Sequence, residues 1–303
     1  MTSVAVTLAG ETLATPLVAA SGTVGSVIDF ARSVDFSLYG AAVTKSVAPE
    51  AWPGRSAPRI APMRDGMLNG IGIQNPGIDA WLADVAPGLD SVPTRVWASI
   101  VAHDPDGFGA VAATMTRSSI SAIEVNLSCP NLEGVPFALD AAPAAHVIAS
   151  VRSATSKPIG AKLSADARSV TEVASAVMAA GADWVVMGNT LMGAAIDVHS
   201  RRPLTSGLIS GYSGAPIRPV MMRCVLELKR DLPDVPVVAC GGVSHSDHVV
   251  EYILAGADAV GVGSAHFARP RVARRILGGV RRYMKRNGID DLAQLRGAYQ
   301  PWT

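Results

Sequence analysis

The sequence predicts an α/β fold: a single (β/α)8 TIM barrel over residues 1–303, with a small N-terminal hairpin and loops inserted at its C-terminal face. Three observations carry this expectation. Eight short runs rich in Val, Ile and Ala lack polar alternation, as strands covered on both faces should. Helical stretches separate most of them. A helix-to-strand turn also repeats: Ala180-Gly-Ala-Asp183 and Ala255-Gly-Ala-Asp258 each lead into an apolar run ending in glycine plus a polar residue. Glycine there suits a helix C-cap. No Gly-x-Gly-x-x-Gly follows the first strand, which argues against a dinucleotide-binding open sheet.

In chain order, runs 4–9 and 11–13 around Gly10 form the hairpin, which closes the barrel bottom. The barrel strands follow at 17–20, before Ser21-Gly22; 41–44, before Lys45; 96–102; and 122–125, before Asn126. The second half runs 159–161, before Lys162; 184–188, before Asn189; 235–240, before Gly241-Gly242; and 259–262, before Gly263-Ser264. A helix over 169–180 opens with a Ser169/Glu172 capping box. Two connections are long: 46–65, rich in Pro, Ala and Arg, and 197–219, with Gly207, Gly211 and Gly214. Long loops in a compact barrel tend to be functional, and loops leaving strand C-termini build its active site.

Composition excludes several classes. With 26 Lys+Arg against 25 Asp+Glu and no basic stripe, nucleic acid is not an expected partner. The Arg269-Pro-Arg271, Arg274-Arg275 and Arg281-Arg282 patches, with Lys285 and Arg286, fit the solvated face of a terminal helix. Every apolar run is interrupted before it reaches a membrane-spanning length, and residues 1–10 resemble neither a signal peptide nor an amphipathic anchor. Cys129, Cys224 and Cys240 lack metal-ligand spacing and fit a reducing cytoplasm. Three thiols cannot ligate an iron–sulfur cluster of the usual four-cysteine kind. Cys224 and Cys240 are expected to serve packing. The histidines show no metal-binding spacing, and His245 and His248 are expected at the surface or at a helix cap.

If the barrel closes, Ser21, Lys45, Asn126, Lys162, Asn189 and the two glycine turns converge on one rim. Residues 124–131 read Glu-Val-Asn-Leu-Ser-Cys-Pro-Asn, an apolar run that stops in polar company. Asn126 and Asn131 offer amide donors and acceptors suited to a carboxylate and ring amides. Cys129, between them, has the chemistry of a base or nucleophile, and Pro130 stiffens its turn. Lys45 or Lys162 nearby would favour the thiolate. Gly241-Gly242 and Gly263-Ser264 follow the seventh and eighth strands, where barrels commonly bind phosphate through backbone N–H groups. The string Gly66-Met-Leu-Asn69-Gly-Ile-Gly-Ile-Gln-Asn75-Pro-Gly77 brings Asn69 toward the same mouth.

Asn126-Leu-Ser-Cys129-Pro-Asn131, Lys45, the 66–77 string and Asn189-Thr190 together resemble the class 1 dihydroorotate dehydrogenases. The similarity runs from about Leu13 to about Pro270 and includes the Cys-Gly-Gly and Val-Gly-Ser turns. The resemblance implies an FMN enzyme that oxidises dihydroorotate to orotate in pyrimidine synthesis. Cys129 would take the C5 proton while C6 delivers hydride to flavin N5. It further implies that Lys45, Asn69, Gly72, Ile73, Asn126, Asn131, Asn189 and Thr190 hold the substrate. FMN would be held by Ala20, Ser21, Gly22, Lys45, Ser46, Asn126, Lys162, Gly214, Gly241, Gly242, Gly263 and Ser264, with both lysines at the flavin. The cysteine base and the lack of an N-terminal extension differ from the membrane-associated class that uses serine.

The 66–77 string is more like the 1B subtype than the fumarate-reducing 1A subtype. That implies a homodimer working with a second subunit that carries FAD and a 2Fe–2S cluster, with NAD as acceptor. The chain departs from the family at Ser213-Gly-Ala-Pro216, whose proline comes one place late, and at Ala48, where threonine is frequent. Residues 132–137 also form a short loop. Two alternatives are a related flavin barrel acting on another pyrimidine and a non-redox, phosphate-binding barrel lyase using Lys162 as a Schiff-base nucleophile.

Overall fold

The computed structural model describes residues 2–128 and 136–302. Eight parallel strands close into a barrel: β1 Leu17–Ala19, β2 Ala41–Val43, β3 Arg95–Ile100, β4 Ala122–Asn126, β5 Ile159–Leu163, β6 Trp184–Met187, β7 Val237–Cys240 and β8 Ala259–Val262. Each strand pairs with the next in sequence, and β8 returns to β1 through Val260 opposite Leu17. The strands are buried along almost their whole length, which explains their unalternating composition. Helices Pro105–Met115, Ala141–Ala154, Val170–Ala179, Arg218–Asp231 and Ser246–Leu254 link successive strands from β3 onward, and Val272–Arg286 follows β8.

Local chemistry sets these boundaries. Ser169 accepts from the Glu172 N–H at 3.2 Å, and Asp104 caps its helix through the Gly107 N–H at 2.8 Å. Gly181 and Gly256 end their helices at φ of 108° and 104°, a region that side chains disfavour. The basic residues of the last helix, Arg274, Arg275, Arg281, Arg282, Lys285 and Arg286, are exposed. His245 is the N-cap residue of Ser246–Leu254. Among the described residues no helix is long and apolar enough to cross a membrane.

The hairpin pairs Val6–Leu8 with Glu11–Leu13 across Ala9 and Gly10, both at positive φ as a tight two-residue turn requires. The long connections differ from expectation because they are not plain loops. Ile60–Pro62, Gly66–Asn69, Ser210–Gly214 and Leu191–Gly193 form a four-stranded antiparallel sheet, and Ile196–Asp197 pairs with Arg202–Pro203. Such short, glycine- and proline-containing strands leave no hydrophobic period to read. Gly66 and Gly214 face each other in this sheet, and a Cβ on Gly214 would lie 2.6 Å from the Gly66 Cα.

Side-chain alternation fills the barrel in layers. Trp97 and Trp184 pack with ring centres 4.9 Å apart, and Gly160 makes room for them: its Cβ would lie 2.4 Å from Trp184 Nε1. Lys162, two residues further on, shares the inward face with Gly160, as Glu124 does with Asn126 on β4.

Candidate active site

A cleft of about 340 Å³ opens at the C-terminal ends of the strands, between the barrel rim and the inserted sheet. Barrel closure brings Ala20, Ser21, Gly22, Lys45, Ser46, Asn126, Lys162, Asn189, Thr190, Gly241, Gly242, Gly263 and Ser264 to its wall. The inserted sheet and the 66–77 segment add Asn69, Gly214 and Ile73. Gly72 sits between Ile71 and Ile73, both of which line the cleft, and a Cβ on it would meet the Arg55 backbone nitrogen at 2.6 Å, so only glycine lets the two loops approach here. Cys129 and Asn131 lie outside the described residues, as does most of the 132–137 loop, whose Phe137 opens the turn Phe137–Leu139.

The asparagines form one hydrogen-bonded set. Asn189 Nδ2 donates to Ser128 Oγ at 3.0 Å and to Asn126 Oδ1 at 3.3 Å, while Asn189 Oδ1 accepts from the Thr190 N–H at 2.8 Å. Asn126 Nδ2 donates to Ser46 Oγ at 3.1 Å, and Ser46 lies 2.8 Å from Ser99 Oγ. Each amide is therefore oriented before a ligand arrives, which lowers the ordering cost of binding. Asn69 Nδ2 donates to the Gly211 carbonyl at 3.2 Å. Gly211 permits that approach, since its Cβ would lie 3.0 Å from Asn69 Nδ2 and 2.2 Å from Thr190 Oγ1.

Beneath Asn126 lies a feature hidden in the sequence. Glu124, 2% exposed within a run of apolar neighbours, holds Lys162 Nζ at 3.3 Å, and Lys162 is itself buried. Cys240, expected to serve packing alone, is only half-buried and lines the same cleft. Burial pushes its thiol up, and the Lys162 charge only partly opposes this.

The glycine turns divide into two kinds. Gly241, at φ 143°, and Gly242, at φ 69°, make a tight turn whose Cβ positions would each lie 2.5 Å from a neighbouring side chain, Met221 and Arg218 respectively. At Gly22 and Gly263 a Cβ would meet nothing nearer than 3.9 Å, so both leave room in the cleft. Their turns are joined by a relay the sequence did not reveal. Thr23 Oγ1 donates to the Ala20 carbonyl at 2.8 Å, which leaves it to accept from His266 Nδ1 at 3.0 Å. His266 Nε2 then accepts from the Tyr39 hydroxyl at 2.7 Å. Burial holds His266 neutral, at a pKa of about 4, and pushes the Tyr39 phenol up, so the donor directions of the relay are fixed. A lone histidine after a glycine turn carries no spacing signal.

A family profile described as Dihydroorotate dehydrogenase matches residues 3–284. A protein of Alkaliphilus metalliredigens, named the catalytic subunit of dihydroorotate dehydrogenase B (NAD(+)), is 36% identical over 295 residues, 97% of each chain. One of the same name from Trichlorobacter lovleyi is 40% identical over 291 residues, 95% of each chain. The crystal structure of DHODH in complex with ferulenol from Eimeria tenella superimposes with a TM-score of 0.84 at 20% identity, covering 99% of this chain and 89% of that one. At that identity the superposition speaks to the barrel fold alone. The profile and the curated relatives extend over nearly the whole sequence, and on that ground the chain belongs to the dihydroorotate dehydrogenase family.

Proposed function

We propose that this chain, one barrel domain over residues 1–303, is the FMN-binding catalytic subunit of a type B dihydroorotate dehydrogenase. It would oxidise dihydroorotate to orotate and pass the electrons through a partner subunit to NAD. The observation that carries the reading is the meeting of four strand-end side chains, Lys45, Asn126, Lys162 and Asn189, in one cleft beside two open glycine positions.

The donor set fits FMN. Gly22 and Gly263 leave space where a larger residue would intrude, next to turns able to present backbone N–H groups to a phosphate. Ala20, Ser21, Ser46, Gly214, Gly241, Gly242 and Ser264 complete the cradle. Lys45 and Lys162 bring positive charge to the ring, which favours negative charge on the reduced flavin. Bound there, FMN would supply a two-electron acceptor for the hydride leaving C6 of dihydroorotate. Cys129 takes the C5 proton, so one hydride and one proton leave together and the C5–C6 double bond forms. Asn69, Asn126, Asn131, Asn189 and Thr190, with Lys45 and Ile73, hold the carboxylate and ring amides. In a site that excludes water, each of these bonds is stronger than in solution.

The names of the curated relatives, each the catalytic subunit of a dihydroorotate dehydrogenase B (NAD(+)), support a partner subunit, and the family resemblance adds the expectation that this partner carries FAD and a 2Fe–2S cluster. The 1B reading also carries the expectation of a homodimer. The purified chain should release FMN on denaturation and reduce a dye with dihydroorotate. It should reduce NAD only after such a partner is added. A colourless protein that binds no FMN, or one that reduces NAD unaided, would overturn this assignment.

A further inference from the structure

The roles proposed above leave Glu124 without one. Its carboxylate is 2% exposed and 3.3 Å from Lys162 Nζ. In the parallel ladder Asn126 stands opposite Lys162 and Glu124 opposite Gly160, so the carboxylate meets the lysine from the barrel interior, below the cleft. A buried pair of this kind is a weak source of stability, because desolvating two charges offsets their attraction. Its consequence for protonation is strong: a buried amine gives up its proton readily unless an anion faces it.

We infer that Glu124 is a positioning residue that keeps Lys162 an ammonium in both oxidation states of the flavin, so that reduction draws no proton to this side chain. The inference rests on the reading that Lys162 contacts the flavin. Among the described residues, the groups facing Lys162 are Glu124 on β4, the Cys240 thiol on β7 and Lys45, which enters the same cleft after β2. The other neighbour of β5, strand β6, presents only Trp184, Val185, Val186 and Met187, none of which titrates. Without Glu124 the buried amine is neutral beside the oxidised flavin and becomes charged when reduction brings negative charge to the cleft. Proton uptake per two electrons then rises by one.

The midpoint potential of the FMN-loaded protein, measured over roughly pH 7 to 9, counts those protons. For a two-electron couple a tenfold change in equilibrium constant is about 30 mV, so one further proton steepens the slope by about 30 mV per pH unit. Glu124→Gln is expected to show that steeper slope. The double variant Glu124→Gln with Lys162→Arg returns to the wild-type slope, because a guanidinium does not lose its proton. Lys162→Gln lowers the potential. A wild-type slope in Glu124→Gln, with the potential lowered in Lys162→Gln, overturns the proposal and leaves the flavin-contact reading standing. A wild-type potential in Lys162→Gln overturns the flavin-contact reading itself. Should Glu124→Gln not fold, the wild type decides. Nitrogen NMR of Lys162 Nζ should find it charged across that pH range, oxidised and reduced, and loss of its proton in the oxidised protein overturns the proposal.

Discussion

Gly263→Ala separates the cradle from the fold. Gly263 follows β8 at the cleft wall, and a Cβ there would meet only the Ala20 and Thr23 methyl groups, each at 3.9 Å, an ordinary contact. The apoprotein should tolerate the change and gain about 0.4–1 kcal/mol from the smaller entropy of the unfolded chain. With FMN present, the methyl group occupies space meant for the ligand. Overpacking a close contact costs about 1–3 kcal/mol, which weakens binding by about five- to 150-fold. Urea denaturation of the apoprotein measures the first quantity, and quenching of FMN fluorescence on titration measures the second. Gly241→Ala is the contrast: its Cβ would lie 2.5 Å from Met221 Cγ at φ 143°, so it destabilises the apoprotein as well. Undiminished FMN affinity in a folded Gly263→Ala protein would refute the assignment of this turn to the cradle.

Acid should act through His266. Burial places its pKa at about 4, against 6.5 for the free side chain, so between those values the unfolded chain binds the extra proton. This contribution is fully present above about pH 6.5 and is lost as pH falls toward 4, by about 3 kcal/mol in total. His266→Gln should flatten that part of the stability–pH curve, measured by denaturation at a series of pH values. Asn189→Ala removes the donor to Ser128 Oγ and Asn126 Oδ1 and should raise the KM for dihydroorotate by about five- to 150-fold, while FMN content stays unchanged. Gly160→Ala places a Cβ 2.4 Å from Trp184 Nε1 and should lower stability by about 1–3 kcal/mol, read as a drop in Tm.

The barrel was legible because its strands are buried on both faces and end in a polar or glycine residue; the chain writes that pattern at 17–22, 122–126 and 259–264 alike. The rim was legible for the same reason, since strand C-termini must converge once the sheet closes. Glu124 was not, because one acid inside an apolar run looks like noise until its inward direction and its partner on the next strand are known. Cys240 was misjudged on similar grounds: its strand is core, but its last residue already faces the cleft. The inserted sheet escaped notice because strands of three to five residues, stapled by glycines at 66, 211 and 214, show no period. Gly72 was placed at the substrate by resemblance alone, and its tight approach to Arg55 shows only once the two loops are seen together.

The most direct measurement is anaerobic mixing of the FMN-loaded protein with dihydroorotate while the flavin absorbance is followed. The flavin band should bleach as orotate appears in equal amount, and Cys129→Ala should slow this step by about 10²–10⁴-fold with FMN still bound. A band that persists in the wild-type protein with intact FMN would contradict the proposed function.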